Sequence, residues 1–236
     1  MECLSSSRFR FDLKQESVRD LNEFLHGLAA GDDSSAPCVE VLNPDGQHNI
    51  AVGMQVPAQI EILGHAGYFI GGMNSLADIR IYGNVGWSLA ENIMSGSVRI
   101  TGCASECAAA SGRGGLVAIA GDASSRCGIS LKGADVVVGG NVGHMSAFMA
   151  QAGRLVICGD AGANLGDSLY EAVIYVRGKV HSLGTDAREE PMEEGDYRAV
   201  EELLQGANFE FSPQEFRRIG SARQLYHWHA DAAHHY

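Results

Sequence analysis

Three groups of side chains in this sequence have the types and spacing that chemistry uses. The first is a polar series at intervals of 19 residues: His65, Asn84, Cys103, Asp122, Asn141, Asp160 and Lys179. Stacked on one edge, such residues would make an acidic or metal-binding groove of the kind that cleaves polysaccharides. The identities change from step to step, however, and Asp122 and Asp160 are separated by Asn141. A turn that faces water accounts for the polarity without a site. The second group is the C-terminal cluster His227, His229, His234 and His235, in which His227-x-His229 has chelating spacing for Zn²⁺ or Ni²⁺. Asp231 is the one carboxylate beside it, and no orienting partner is evident. The third group is Cys103, Cys107, Cys127 and Cys158, whose irregular spacing fits isolated thiols better than a cluster. Gly-rich segments lack the Gly-Lys-Ser/Thr of a phosphate loop and do not open a helix after a strand. No nucleophile–base pair, cofactor fingerprint or motif-grade metal set emerges, so the expectation is that no residue of this chain is catalytic, cofactor-binding or metal-ligating.

Bulk properties narrow the class. The chain has 236 residues and a formal net charge of −12, which disfavours a nucleic-acid partner. It has no apolar leader and no apolar run near the ~18 residues of a membrane span. A cytoplasmic protein with reduced thiols is expected. The unusual quantity is 30 glycines, without the one-in-three period of collagen and with too many aliphatics for disorder.

Written in rows of 19 from Ile60, the sequence explains those glycines. The first column reads Ile60, Ile79, Val98, Val117, Val136, Leu155, Ile174, and the third Ile62, Ile81, Ile100, Ile119, Val138, Ile157, Val176. The fifth is Gly64, Gly83, Gly102, Gly121, Gly140, Gly159 and Gly178 without exception. The eighth is Gly67, Gly86, Ser105, Ser124, Gly143, Gly162, His181, and the twelfth Gly71, Ala90, Ala109, Gly128, Ala147, Gly166, Thr185. Apolar residues two apart are the period of a strand with one buried face, and β-branched types suit it. Identical rows at constant spacing stack as parallel strands about 4.8 Å apart. A repeat of 19 is no multiple of six, which excludes a left-handed hexapeptide helix, and the Leu/Asn pattern of leucine-rich repeats is absent. The predicted fold is all-β: a right-handed parallel β-helix of about seven 19-residue turns with short helical caps. The fifth-column glycines are expected to turn a corner with positive φ.

The flanks read as caps. Residues 1–38 form an N-terminal strand and helix cap: Phe9, Phe11 and Leu13 alternate, and Val18, Leu21, Leu25 and Leu28 share a helical face before Gly31. Residues 32–37 read as a linker. Residues 39–185 form the β-helix, beginning with a degenerate turn over 39–58. Residues 186–236 form a helical and aromatic tail, with a helix at 197–204 and the apolar side chains Phe209, Phe211, Phe216, Leu225, Tyr226 and Trp228. Aromatics and arginines are the types enriched at interface hot spots, so Phe216, Arg217, Arg218, Arg223, Tyr226 and Trp228 are candidate partner contacts.

The spacing Gly-x-x-Gly-x-x-x-Gly, intact at Gly64/Gly67/Gly71 and Gly159/Gly162/Gly166, resembles the GXGXG family of β-helix proteins. That family includes the C-terminal domain of the glutamate synthase large subunit, the β-helix subunits of formylmethanofuran dehydrogenase and of the formyltransferase/hydrolase complex, and the third subunit of N-methylglutamate synthase. Phe11-Asp12-Leu13 followed by Arg19-Asp20-Leu21-Asn22, and the run from Glu215 to Tyr226, look like the last branch. The resemblance implies a non-catalytic structural subunit of a multi-subunit transferase that makes N-methylglutamate and ammonia from glutamate and methylamine. It implies two partners, a glutamine-amidotransferase-like chain and a synthase-like chain that carries FMN and an iron–sulfur cluster, with no cofactor in this chain. The alternatives are the scaffold subunit of a formyltransferase/hydrolase or formylmethanofuran dehydrogenase-type complex, and an independent carbohydrate-active β-helix enzyme.

Overall fold

The computed structural model describes residues 1–5, 7–28 and 36–222. Gly31, residues 32–35 of the expected linker, Arg223, Leu225, Tyr226, Trp228 and the four C-terminal histidines lie outside them. The elements in chain order are β1 (Glu2–Ser5), β2 (Arg8–Asp12), α1 (Val18–His26), β3 (Cys38–Leu42), β4 (Gln59–Leu63), β5 (Asp78–Ile81), β6 (Ser97–Ile100), β7 (Leu116–Ile119), β8 (Lys132–Val138), β9 (Ala152–Ile157), β10 (Val173–Val176), β11 (Ala187–Glu190), α2 (Glu194–Ala207) and β12 (Arg217–Ser221). Strands β2 to β10 pair in parallel in sequence order, so the chain is a parallel β-solenoid of about seven turns with two short helices. The register is the one the columns predict: Ile60 pairs with Ile79, Ile79 with Val98, and so on to Leu155 with Ile174.

The reason these residues stack is burial. All fourteen side chains of the first and third columns are 3% exposed or less. Each contributes about 1.5–3 kcal/mol by leaving water. A second line of parallel bridges runs through the seventh column, from Ala66–Val85 to Ala161–Val180. These two faces and the loop that closes each turn enclose one core.

The closing loop holds the left-handed backbone, and this corrects the expectation for the fifth column. Of the seven fifth-column glycines, Gly64 alone has φ in the left-handed region, at +142°. The positive values fall instead on the tenth, twelfth and fourteenth positions; in the twelfth they run from +53° at Ala90 to +68° at Gly128. Alternate handedness points successive N–H groups in opposite directions along the stack. Ser88 N donates to Glu106 O of the next turn (2.9 Å), while Ala90 N donates to Ile70 O of the previous one (2.9 Å). Those inter-turn bonds offset the roughly 1–2 kcal/mol that left-handed φ costs alanine.

Fifth-column glycine is required by closeness. A Cβ at Gly83 would stand 2.7 Å from the carbonyl carbon and oxygen of Gly64, and one at Gly159 would stand 2.6 Å from those of Gly140. From Gly83 on, each turn rests its backbone on the backbone of the turn before, and no side chain fits between.

The ends depart from the ideal repeat. The turn from Val39 is two residues longer than the 19-residue repeat, since Val39 pairs with Ile60. In the last row Leu183 bridges Leu165, a spacing of 18, so Gly184 rather than Thr185 occupies the twelfth position. Helix α1 closes the N-terminal end: Ser17 caps Asp20 N, Leu21 and Leu25 are buried, and Asn22 donates to Asn49 O (2.8 Å). The helix ends at His26 with Gly27 as its C-cap, short of Gly31. At the other end β12 adds antiparallel to β10, placing Ile219 over the core, and β11 pairs outside it. Helix α2 is longer than residues 197–204 and packs across the outer face of the sheet against β7 and β8.

Candidate functional site

The polar sixth column forms a hydrogen-bonded ladder. The side chains from His65 to Asp160 each face the backbone N–H of the equivalent residue one turn on, and Lys179 ends the ladder as a backbone donor. His65 Nδ1 accepts from Asn84 N (2.9 Å), and Asn84 Oδ1 from Cys103 N (2.8 Å). Asp122 Oδ1 accepts from Asn141 N (2.6 Å), Asn141 Oδ1 from Asp160 N (2.8 Å), and Asp160 Oδ1 from Lys179 N (2.7 Å). The weak rung is Cys103, whose Sγ lies 3.4 Å from Asp122 N. All seven residues are exposed, as a turn facing water requires, yet Asp122 and Asp160 are held by their own stack rather than aimed together at a ligand.

The cysteines are dispersed as well. Cys103 is exposed, Cys107 half-buried, and Cys127 and Cys158 buried. Burial pushes the Cys127 and Cys158 thiols up to about 12, far from nucleophilic. No group of three or more His, Cys, Asp and Glu with metal-holding geometry occurs among the described residues.

Of the candidate partner contacts, the structure brings Phe216, Arg217 and Arg218 together at β12. Phe216 is 5% exposed and belongs to a second apolar cluster on the outer face of the sheet. That cluster joins Ala118, Val137, Val156 and Tyr175 of the sheet to Val200, Leu203, Leu204 and Ala207 of α2. The Tyr175 hydroxyl donates to Asp196 Oδ1 of α2 (2.7 Å), and burial raises its phenol above the ordinary range. Arg217 donates to Gly178 O (2.6 Å), and Arg218 pairs with Glu190 (3.4 Å) and Asp196 (3.7 Å).

Sequence reasoning passed over the outward face of turns two and three. Among the described residues, seven of the ten large apolar side chains that stand exposed fall between Leu63 and Met94. Tyr68 and Trp87, 45% and 52% exposed, form a column of parallel rings with His48, at centroid distances of 4.4 Å (His48–Tyr68) and 5.4 Å (Tyr68–Trp87). Beside this belt, where α2 ends, a cleft of about 440 Å³ is lined by Asp78, Arg80, Tyr82, Arg99 and the α2 terminus. The signal was present in the rows: fourth- and ninth-column positions are apolar or aromatic in turns two and three, while the ninth becomes Glu106 and Ser125 in the next two.

Fold and side-chain arrangement together define a parallel β-solenoid protein whose polar edge bonds to its own backbone. More narrowly, the chain belongs to the family of Protein GlxC: it is 51% identical over 223 residues to that protein from Rhizobium meliloti (strain 1021), a match covering 94% of this chain and 97% of the other. No family model matches the chain, and no solved structure matches it. No helix among the described residues is long and apolar enough to cross a membrane.

Proposed function

We propose that this chain is a non-catalytic assembly subunit of a cytoplasmic glutamate-synthase-like complex, of the type that makes N-methylglutamate from glutamate and methylamine. The observation that carries the reading is a division of labour on the surface. The residues with chemical potential are bonded into the stack, while a belt of apolar and aromatic side chains stands uncovered. A scaffold needs rigidity and docking area rather than a reacting group. The terminal segments, Phe11 to Asn22 and Glu215 to Tyr226, support the N-methylglutamate synthase branch over the formyl-transferring one by resemblance. On this reading FMN and the iron–sulfur cluster reside on a synthase-like partner, and an amidotransferase-like chain is the second partner. The test is the isolated chain purified under anaerobic conditions. It is expected to carry no flavin or iron absorbance and to turn over neither glutamine nor glutamate with methylamine; turnover by the isolated chain would refute the proposal.

A further inference from the structure

The two lines of parallel pairing end differently at the C-terminal end of the stack. On the first, β12 adds to β10 and sets Ile219 over the core. The second, through the seventh column, runs from Ala66 to Val180 and receives no added strand among the described residues. Along it each seventh-column N–H donates to the sixth-column carbonyl of the next turn, as Ala161 N does to Lys179 O (2.8 Å). Each seventh-column carbonyl accepts from the eighth-column N–H of the next turn, as Ala161 O does from His181 N (2.9 Å). Val180 ends the series. Its N–H and carbonyl, and the N–H of Leu183, make no hydrogen bond among the described residues. Burial stops at the same place: the seventh-column side chains from Ala66 to Ala161 are 3–6% exposed, whereas Val180 and Leu183 are only half-buried.

An unpaired edge is completed by extended backbone, and the register of this one states which residues fit. A Cβ at Gly178 would overlap Gly159 O, as the fifth-column glycines from Gly83 on would overlap the turn beneath them. A strand laid on Gly178 in the same register therefore needs glycine there. Two residues on, over Val180, the column holds only Ala and Val. The matching segment is Gly-x-Ala or Gly-x-Val. Over x stands Lys179, which offers no acceptor, so a second solenoid of this kind gains no ladder bond by stacking on the end. This chain has no spare segment of the matching form. Residues 223–236 contain no glycine. Outside the stack the form occurs at Gly27-Leu28-Ala29, where Gly27 caps α1, and at Gly220-Ser221-Ala222, where β12 is already paired.

We propose that the open edge at Val180 and Leu183 seats an extended Gly-x-Ala or Gly-x-Val segment of a different protein, parallel to the turns, as one further rung of the second line. The carbonyl of x takes the Val180 N–H, the N–H that follows the Ala or Val goes to the Val180 carbonyl, and the small apolar side chain covers Val180. The inference rests on the assembly reading in needing a partner, but it is tested separately.

The experiment is site-specific photocrosslinking of the full-length chain in cells that normally make it, with His181→p-benzoylphenylalanine beside the edge and, as a control on another exposed position, Met149→p-benzoylphenylalanine. The expected result is a crosslink from position 181, absent from 149, to a segment of another protein that holds Gly two residues before Ala or Val. Val180→Pro removes an N–H that this chain leaves unbonded, so it is expected to lower the yield about tenfold with the thermal melt unchanged. Gly→Ala in the captured segment leaves this chain intact and is expected to lower the yield as far; it decides the matter if V180P unfolds. Undiminished capture of that Ala variant overturns the inference. So does a crosslink from 181 to a second copy of this chain, to its own residues 223–236, to a segment without the Gly spacing, or to nothing, whatever co-purifies. If position 181 captures a matching segment of a chain that is neither amidotransferase-like nor flavin-bearing, the open edge stands as a docking site and the assembly reading falls.

Discussion

At the scale of the residue, the structure ranks glycines by what lies beneath them. A Cβ at Gly140 would press on the Gly121 carbonyl carbon and oxygen at 2.9 Å and on the Asp122 carboxylate, so Gly140→Ala must spread two turns. Its expected cost is about 1–3 kcal/mol. Gly195→Ala, with open space around it in the first turn of α2, should stay within about 0.5 kcal/mol of the parent. Urea midpoints decide, and equal midpoints would remove the close-stacking account. The ladder makes a prediction of opposite sign. Cys103 offers a poor acceptor where its neighbours offer amide or carboxylate oxygen, so Cys103→Asn should stabilise by about 0.5–1 kcal/mol. A lowered melting temperature would show that the ladder bonds contribute nothing. One carboxylate gives a pH dependence. Glu40, nearly buried, accepts from Arg10 at 2.8 and 3.0 Å and from Arg8, and these hydrogen bonds hold its pKa below the ordinary carboxylate value. A depressed folded-state pKa stabilises above the unfolded value of about 4.3 and is lost as pH falls through the folded one. Acid unfolding of the β2–β3 end should therefore steepen below about pH 4. Glu40→Gln should flatten that limb, as followed by hydrogen exchange of the β3 amides.

At the scale of the element, period-two alternation and a constant 19-residue spacing made β4 to β10 readable, because burial of identical rows leaves one register available. Local conformation was less readable. The fifth-column glycines suggested a left-handed corner because glycine answers two different needs, free φ and missing volume, and one sequence does not separate them. Alanine at 90, 109 and 147 holds the left-handed backbone that its side chain disfavours, since inter-turn hydrogen bonds impose it. The role of the tail was partly hidden for a related reason. Phe216 reads equally well as a contact or as packing, and packing against α2 is decided by a sheet face that exists only after the turns have stacked. Phe216→Ala should cost about 3–5 kcal/mol. It should also free α2 for cleavage in limited proteolysis, and resistance equal to the parent would detach Phe216 from that role. Deleting residues 208–236 is a poor probe of assembly, because it also removes β12 and Ile219 from the main core.

At the scale of the whole molecule, the solenoid carries a cap at each end and is covered on half of one face, and its exposed apolar side chains gather on two adjacent turns. Clustered exposed apolar side chains of this kind are what the proposed role as an assembly subunit calls for. The proposed N-methylglutamate synthase role would add named neighbours and a division of chemistry among them. Its most direct test is mild affinity purification of the chain from its native host, followed by mass spectrometry of the co-purifying chains and visible absorption of the intact complex. The account predicts stoichiometric amounts of an amidotransferase-like chain and of a flavin- and iron–sulfur-bearing chain, with N-methylglutamate formed by the complex. Recovery of this chain with neither, under conditions where the complex's activity survives in the flow-through, would contradict it.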